Sequence, residues 1–140
     1  DTVGHELGNH SYTHQRFLLK SQSFINNEIQ RTNQLIRAAG YEGTITFRPP
    51  YGKKLFGLPW YLNKHDIMTV TWDVEPDTYG TTTDFLTSYT LENTKPGSSI
   101  LIHPFCENCA NQREAIPLII DALREKGYTF VTVSDLLSRR

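Results

Sequence analysis

His10-Ser11-Tyr12-Thr13-His14 places two imidazoles four residues apart. On one helical or turn-like face that spacing lets both rings reach a single divalent ion. Taken alone, it also fits a pair of polar surface histidines. Just upstream, His5-Glu6 opens like the zincin motif His-Glu-x-x-His, but the fifth position is Asn9. The second ligand of that motif is missing, so His5 is read as structural or solvated. Further along come Arg48-Pro49-Pro50-Tyr51, the acidic stretch Asp73 to Tyr79, and Leu101-Ile102-His103. A guanidinium offers a permanently charged hydrogen-bonding fork, and a histidine exchanges protons near neutrality. The two cysteines, Cys106 and Cys109, are spaced as Cys-Glu-Asn-Cys, which suits half a zinc site, a redox pair, a local disulfide or two ordinary loop thiols.

These residues need elements to hold them. From Ser23 to Ala39 the positions Ile25, Ile29, Thr32, Ile36 and Ala39 recur at helical intervals, and Gly40 follows as a C-terminal cap. Short runs rich in β-branched and aromatic residues predict strands at Thr44 to Phe47, Ile67 to Trp72, Ser99 to Ile102 and Thr129 to Val133. Helices are predicted between them, over Leu55 to Lys64, Thr83 to Asn93 and Arg113 to Lys126, the last ended by Gly127. Alternation of this kind favours an α/β fold with a parallel sheet, whose functional residues gather at the C-terminal ends of strands. Arg48, Asp73 and His103 each begin a polar cluster directly after a predicted strand.

The chain has 140 residues, 38% hydrophobic and 21% charged, with a formal net charge of -1. That length suits one domain, 1–140, with a moderate core. Charges of both signs are scattered, with no basic stripe for nucleic acid. The longest apolar runs, such as Ile116 to Ile120, fall far short of the ~20 residues a membrane span needs. The chain begins Asp-Thr-Val-Gly-His, without a basic region followed by an apolar one, so no compartment is legible at that end.

In order, the histidine motif, Arg48-Pro49-Pro50-Tyr51 and Leu101-Ile102-His103 resemble the NodB-like polysaccharide deacetylases, carbohydrate esterase family 4. The resemblance runs over nearly the whole chain and implies a distorted (β/α) barrel. It implies that His10 and His14 bind a divalent metal, zinc by preference with cobalt or another ion possible. It further implies that Arg48, Pro50 and Tyr51 line one wall of a groove, with the Tyr51 backbone N–H meeting an oxyanion. His103 is implied as the general acid, and Leu101 and Trp72 as a pocket for the acetyl methyl, although Trp72 also reads as core. Tyr51 and Tyr79 are candidates to stack on sugar rings. The expected activity is removal of N-acetyl groups from a GlcNAc-containing polymer such as peptidoglycan, chitin or an exopolysaccharide, in the cell envelope or outside the cell. Relatives acting on O-acetyl xylan, relatives acting on non-sugar amides or imides, and an inactive domain that binds glycan or metal are the alternatives.

Two family motifs depart from pattern. Glu75-Pro76-Asp77-Thr78-Tyr79 stands where Asp-x-x-Asp-Trp is expected, with Glu75, Thr78 and Tyr79 as the substitutions. Asp77 or Asp73 is then left to orient His103, and a charged loop capping the next helix is the plainer reading of the segment. The family's first motif, Thr-Phe-Asp-Asp, which supplies the catalytic base and third metal ligand, does not occur, and Asp1 lacks the preceding strand to replace it. Truncation is the favoured explanation over a degenerate homologue. A barrel incomplete at its N-terminal strands leaves unpaired sheet edges that a further segment must cover. Without the carboxylate, the 140 residues by themselves are expected to bind metal weakly and to turn over little substrate. The parent gene is accordingly expected to encode a Thr-Phe-Asp-Asp-like segment upstream of Asp1. Sequencing that finds none would overturn the expectation of an active enzyme.

Overall fold

The computed structural model describes residues 4–53 and 55–139, and Asp1 lies outside them. Two compact units follow one another, 1–71 and 72–140. Both are α/β in character, with helices surrounding short parallel backbone pairings.

In the first unit, β1 (Gly8–Asn9) pairs in parallel with β2 (Thr46–Phe47), in the register Gly8 with Thr46 and Asn9 with Phe47. Phe47 also bridges Thr69, with Phe47 N–H donating to the Met68 carbonyl at 2.8 Å and Val70 N–H to the Phe47 carbonyl at 2.9 Å. The predicted strands at 44–47 and 67–72 are therefore present as shorter pairings. Between β1 and β2 runs α1 (Gln22–Ala38). Ser21 caps its start by accepting from Phe24 N–H. At its end Gly40 adopts φ +86°, Gly40 N–H donates to the Arg37 carbonyl, and Tyr41 N–H donates to the Ile36 carbonyl. That closure needs a left-handed residue, which glycine adopts without steric cost. After β2 come a single 3₁₀ turn (Pro50–Gly52) and α2 (Gly57–Lys64). Phe17, Ile25, Ile29, Phe47, Leu58, Tyr61 and Leu62 are buried together, with the Phe17 and Phe47 rings edge to face at 5.7 Å.

In the second unit Val74 bridges Ile100, and Leu101 N–H donates to the Val74 carbonyl at 2.8 Å. A 3₁₀ turn (Pro76–Thr78) leads to α3 (Thr83–Asn93), which packs against α4 (Ala110–Glu125). Leu86 of α3 and Ala115, Ile119 and Leu123 of α4 form the buried cluster, joined by half-buried Ile100 and Ile102. Gly127 at φ +86° closes α4 as Gly40 closes α1, with Tyr128 N–H donating to the Leu123 carbonyl.

Two expectations are corrected. Residues 129–133 are not a strand. Phe130 and Val131 are exposed, and Thr132 instead caps α5 (Val133–Ser138) by accepting from Asp135 N–H. A threonine three residues ahead of an acidic one is a helix-start pattern, and it outweighs the β propensity of the run. His65, which the sequence suggests is solvent-facing and without a partner, is exposed, but its ring lies 4.3 Å from that of Tyr61.

Because Phe47 is fully buried and also carries the sheet pairings of its unit, Phe47→Ala should cost about 3–5 kcal/mol of unfolding free energy in a urea titration. A loss below about 1 kcal/mol would contradict this core.

Candidate functional site

His10 directly follows β1, and Arg48 directly follows β2, so the parallel register brings the two together. Arg48 N–H donates to the Asn9 carbonyl at 2.8 Å, and His10 Nδ1 lies 2.7 Å from the Arg48 carbonyl. A carbonyl only accepts, so Nδ1 of His10 carries the proton and Nε2 presents its lone pair. His14 Nε2 stands 3.2 Å from that atom. Either His14 donates a proton across the gap or both nitrogens turn lone pairs to a shared cation. Two nitrogens bound at ~2.0–2.1 Å to a tetrahedral ion lie roughly 3.3–3.4 Å apart, so the pair fits the divalent ion that the sequence implies.

The loop between the histidines contains two non-glycine residues with left-handed backbone, Ser11 at φ +69° and His14 at φ +56°. Its N–H groups are satisfied by side chains. Ser11 N–H donates to Asn9 Oδ1 at 2.8 Å, Tyr12 and Thr13 N–H donate to Glu28 Oε2 at 3.1 and 2.8 Å, and His14 N–H donates to Ser11 Oγ at 3.0 Å. Asn9 is itself buried, its amide donating to the Ile29 carbonyl and to Asn33 Oδ1. Strained backbone at a polar cluster is a recognised mark of a functional site.

Tyr51 is a third such residue, at φ +61°, in the turn after buried Pro49 and Pro50. Its half-exposed ring lies 5.1 Å from that of His14, and the Arg16 guanidinium sits 4.8 Å over it. Burial holds the Arg48 guanidinium below its ordinary pKa. His5, the discarded zincin position, is exposed.

In the second unit the choice between Asp73 and Asp77 is resolved. Asp77 Oδ2 accepts from His103 N–H at 2.9 Å and from His103 Nδ1 at 2.8 Å. Its side chain is only 7% exposed, against 55% for His103. Asp73 is engaged elsewhere, accepting from Ser98 Oγ and Ser99 N–H. Glu75 accepts from the Trp72 indole N–H at 2.8 Å, so Trp72 is half-buried and tied to the acidic turn. Glu75, Asp77 and His103 each offer a ligand atom within 4.8 Å of one another. Asp77 and His103 are joined by their own hydrogen bonds, and Glu75 is held by the Trp72 indole. Leu101 is buried, and Tyr79 is 67% exposed with its ring stacked on Tyr89 at 5.1 Å. That contact adds to desolvation in raising the Tyr89 pKa. Cys106 and Cys109 form a disulfide at the start of α4, which excludes the zinc half-site. No described helix is long and apolar enough to cross a membrane.

Two residues of the site were missed by sequence reasoning, Asn9 and Glu28. Glu28 carried a signal, since it lies three residues after Ile25 and one before Ile29, on the buried side of α1. Asn9 carried none beyond its place before His10.

With this geometry the comparisons with known proteins agree. Residues 2–70 match the family model for polysaccharide deacetylases. A peptidoglycan-N-acetylglucosamine deacetylase of Bacillus cereus is 33% identical over 136 residues, covering 95% of this chain and 49% of that protein. A bifunctional xylanase/deacetylase of Pseudobutyrivibrio xylanivorans is 33% identical over 139 residues, covering 99% of this chain and 22% of that protein. Among solved structures, a family 4 carbohydrate esterase pseudoenzyme from Bacillus anthracis superposes with a TM-score of 0.82 at 30% identity, covering 94% of this chain and 46% of that one. The chain belongs to the polysaccharide deacetylase family, the NodB-like esterases of carbohydrate esterase family 4. It spans about half the length of the Bacillus cereus relative and less of the xylanase.

If Asp77 fixes His103 as described, nitrogen-detected NMR of the neutral ring should show the proton on Nδ1. Asp77→Asn should shift it toward Nε2, and an unchanged tautomer would contradict the pairing.

Proposed function

We propose that this protein is a metal-dependent hydrolase that removes N-acetyl groups from a GlcNAc-containing cell-envelope polysaccharide. The observation that carries this reading is the pair of facing imidazole nitrogens, 3.2 Å apart, with the His10 ring locked by the Arg48 carbonyl. Family membership supports it, as does the similarity to the Bacillus cereus peptidoglycan-N-acetylglucosamine deacetylase. Relatives that are peptidoglycan deacetylases also favour a site of action in the envelope. Both units are taken as one domain, 1–140, of the distorted (β/α) barrel type.

When bound to His10 and His14, a zinc or other divalent ion supplies an acidified water and a polarised acyl carbonyl. The chain's own residues do the rest. Tyr51 offers its backbone N–H to the oxyanion, and Pro49 and Pro50 restrict the turn that aims it. His103 gives a proton to the departing amine from Nε2, while Asp77 retains the ring through Nδ1. Arg48 serves to pair with the base carboxylate that the family draws from its Thr-Phe-Asp-Asp segment. Leu101 and Trp72 receive the acetyl methyl, and Pro50, Glu75 and Tyr79 contact the sugar chain.

Two observations favour other readings. The xylanase/deacetylase relative points to O-acetyl groups of xylan, which the same machinery would cleave. The pseudoenzyme neighbour, together with the substitutions at Glu75, Thr78 and Tyr79, points to glycan or metal binding without turnover.

Acetate release by the full-length protein should be measured on acetylated chito-oligosaccharides, peptidoglycan, acetyl xylan and cyclic imides. N-acetylated glycans should be turned over, chelator should abolish the activity, and zinc should restore it. His103→Ala should lower kcat about 10²–10⁴-fold. Zinc binding without turnover of any substrate would leave the non-catalytic reading standing and overturn the enzyme.

A further inference from the structure

We propose that Glu28 is the positioning residue of the metal-ligand pair, acting through the loop that joins the two histidines. This rests on the reading of His10 and His14 as ligands. Glu28 lies in the middle of α1 and is 2% exposed, an unusual place for a carboxylate without a compensating role. One oxygen, Oε2, accepts from both Tyr12 and Thr13 N–H, at 3.1 and 2.8 Å. Those are two of the three residues between His10 and His14.

The loop cannot hold its own shape. Ser11 and His14 occupy left-handed backbone that each disfavours, and such conformations persist only where the surroundings over-determine them. The surroundings here are the side chains of Asn9, Ser11 and Glu28. Of these, Asn9 and Ser11 are within or beside the loop, and only Glu28 comes from elsewhere in the chain. It therefore ties the loop to a helix whose position is set by the core through Ile25 and Ile29. The same helix adds a second hold, with the Arg31 guanidinium 3.7 Å over the Tyr12 ring. Charge-assisted bonds to backbone N–H groups are among the stronger hydrogen bonds available. Without this acceptor the two N–H groups, part-buried now, would turn outward to water and carry His14 with them.

The test separates this role from a general contribution to the core. Glu28→Met keeps the length and helix preference of the side chain but accepts nothing, whereas Glu28→Gln keeps one oxygen able to accept both N–H groups. Ile25→Ala, a buried change on the same helix away from the loop, controls for lost stability. Zinc dissociation constants of the full-length protein should be measured by competition with a chromophoric chelator. Glu28→Met should weaken binding roughly 10- to 100-fold, as loss of a partner behind the ligands does elsewhere. Glu28→Gln should stay within about three-fold of the parent, and so should Ile25→Ala.

Amide hydrogen exchange gives a readout that needs no metal. Tyr12 and Thr13 should be protected in the parent and in Glu28→Gln and should exchange freely in Glu28→Met. Parent-like zinc affinity in Glu28→Met, an equal loss in Ile25→Ala, or unprotected Tyr12 and Thr13 amides in the parent would each overturn the proposal. Failure of the parent itself to bind zinc would overturn the ligand-pair reading instead, and the exchange experiment would still decide what Glu28 holds.

Discussion

The hydrogen bond from His10 Nδ1 to the Arg48 carbonyl is the constraint on which the first unit's chemistry depends. It exists because β1 and β2 are parallel and in register, so the residues that follow them emerge at the same end. It fixes a tautomer as well as an orientation. A histidine free to choose would place its proton on Nε2 in part of the population, and that nitrogen would then offer no lone pair. One backbone carbonyl thus decides what the ring can bind. The pairing that delivers that carbonyl is only two residues long, so the burial of Phe47 and Asn9 beside it matters more than the ladder does.

Much of this arrangement was legible in the sequence where a residue type has few alternatives. Gly40 and Gly127 were readable as helix ends because the left-handed closing residue of an α-helix disfavours a Cβ. Arg48 and His103 were readable as candidates because polar clusters after β-rich runs sit at strand ends. The run at 129–133 was misread because propensity describes a residue's preference and not its neighbours. Thr132 had an N–H to cap three residues on, and Phe130 is exposed. Gly8–Asn9 was invisible as a strand, since neither residue favours extended structure and the pairing is imposed by Thr46 and Phe47.

Carboxylates were the least legible group. Asp73, Glu75 and Asp77 stand on alternate residues, and spacing alone does not choose among them. The choice follows from what each meets: a serine and a backbone N–H for Asp73, an indole for Glu75, and the backbone N–H and ring Nδ1 of His103 for Asp77. Glu28 was harder still, because a glutamate in a helix reads as a solvated position unless its neighbours at three- and four-residue spacing are noticed. Burial with two N–H donors turns that ordinary helix former into part of the site's framework.

In the proposed reaction His10 and His103 are one kind of side chain given two tasks by the partner of the same atom. Each has Nδ1 engaged, His10 by a neutral carbonyl and His103 by a carboxylate. A carbonyl steadies the neutral ring and leaves Nε2 as a ligand. A carboxylate steadies the same tautomer but also balances the positive charge that appears when Nε2 takes up a proton. The first environment suits metal binding and the second suits proton transfer. The substitutions around Asp77 therefore matter less than the acceptor's survival, because the chemistry requires a carboxylate oxygen on Nδ1 and the neighbouring residues only have to deliver it.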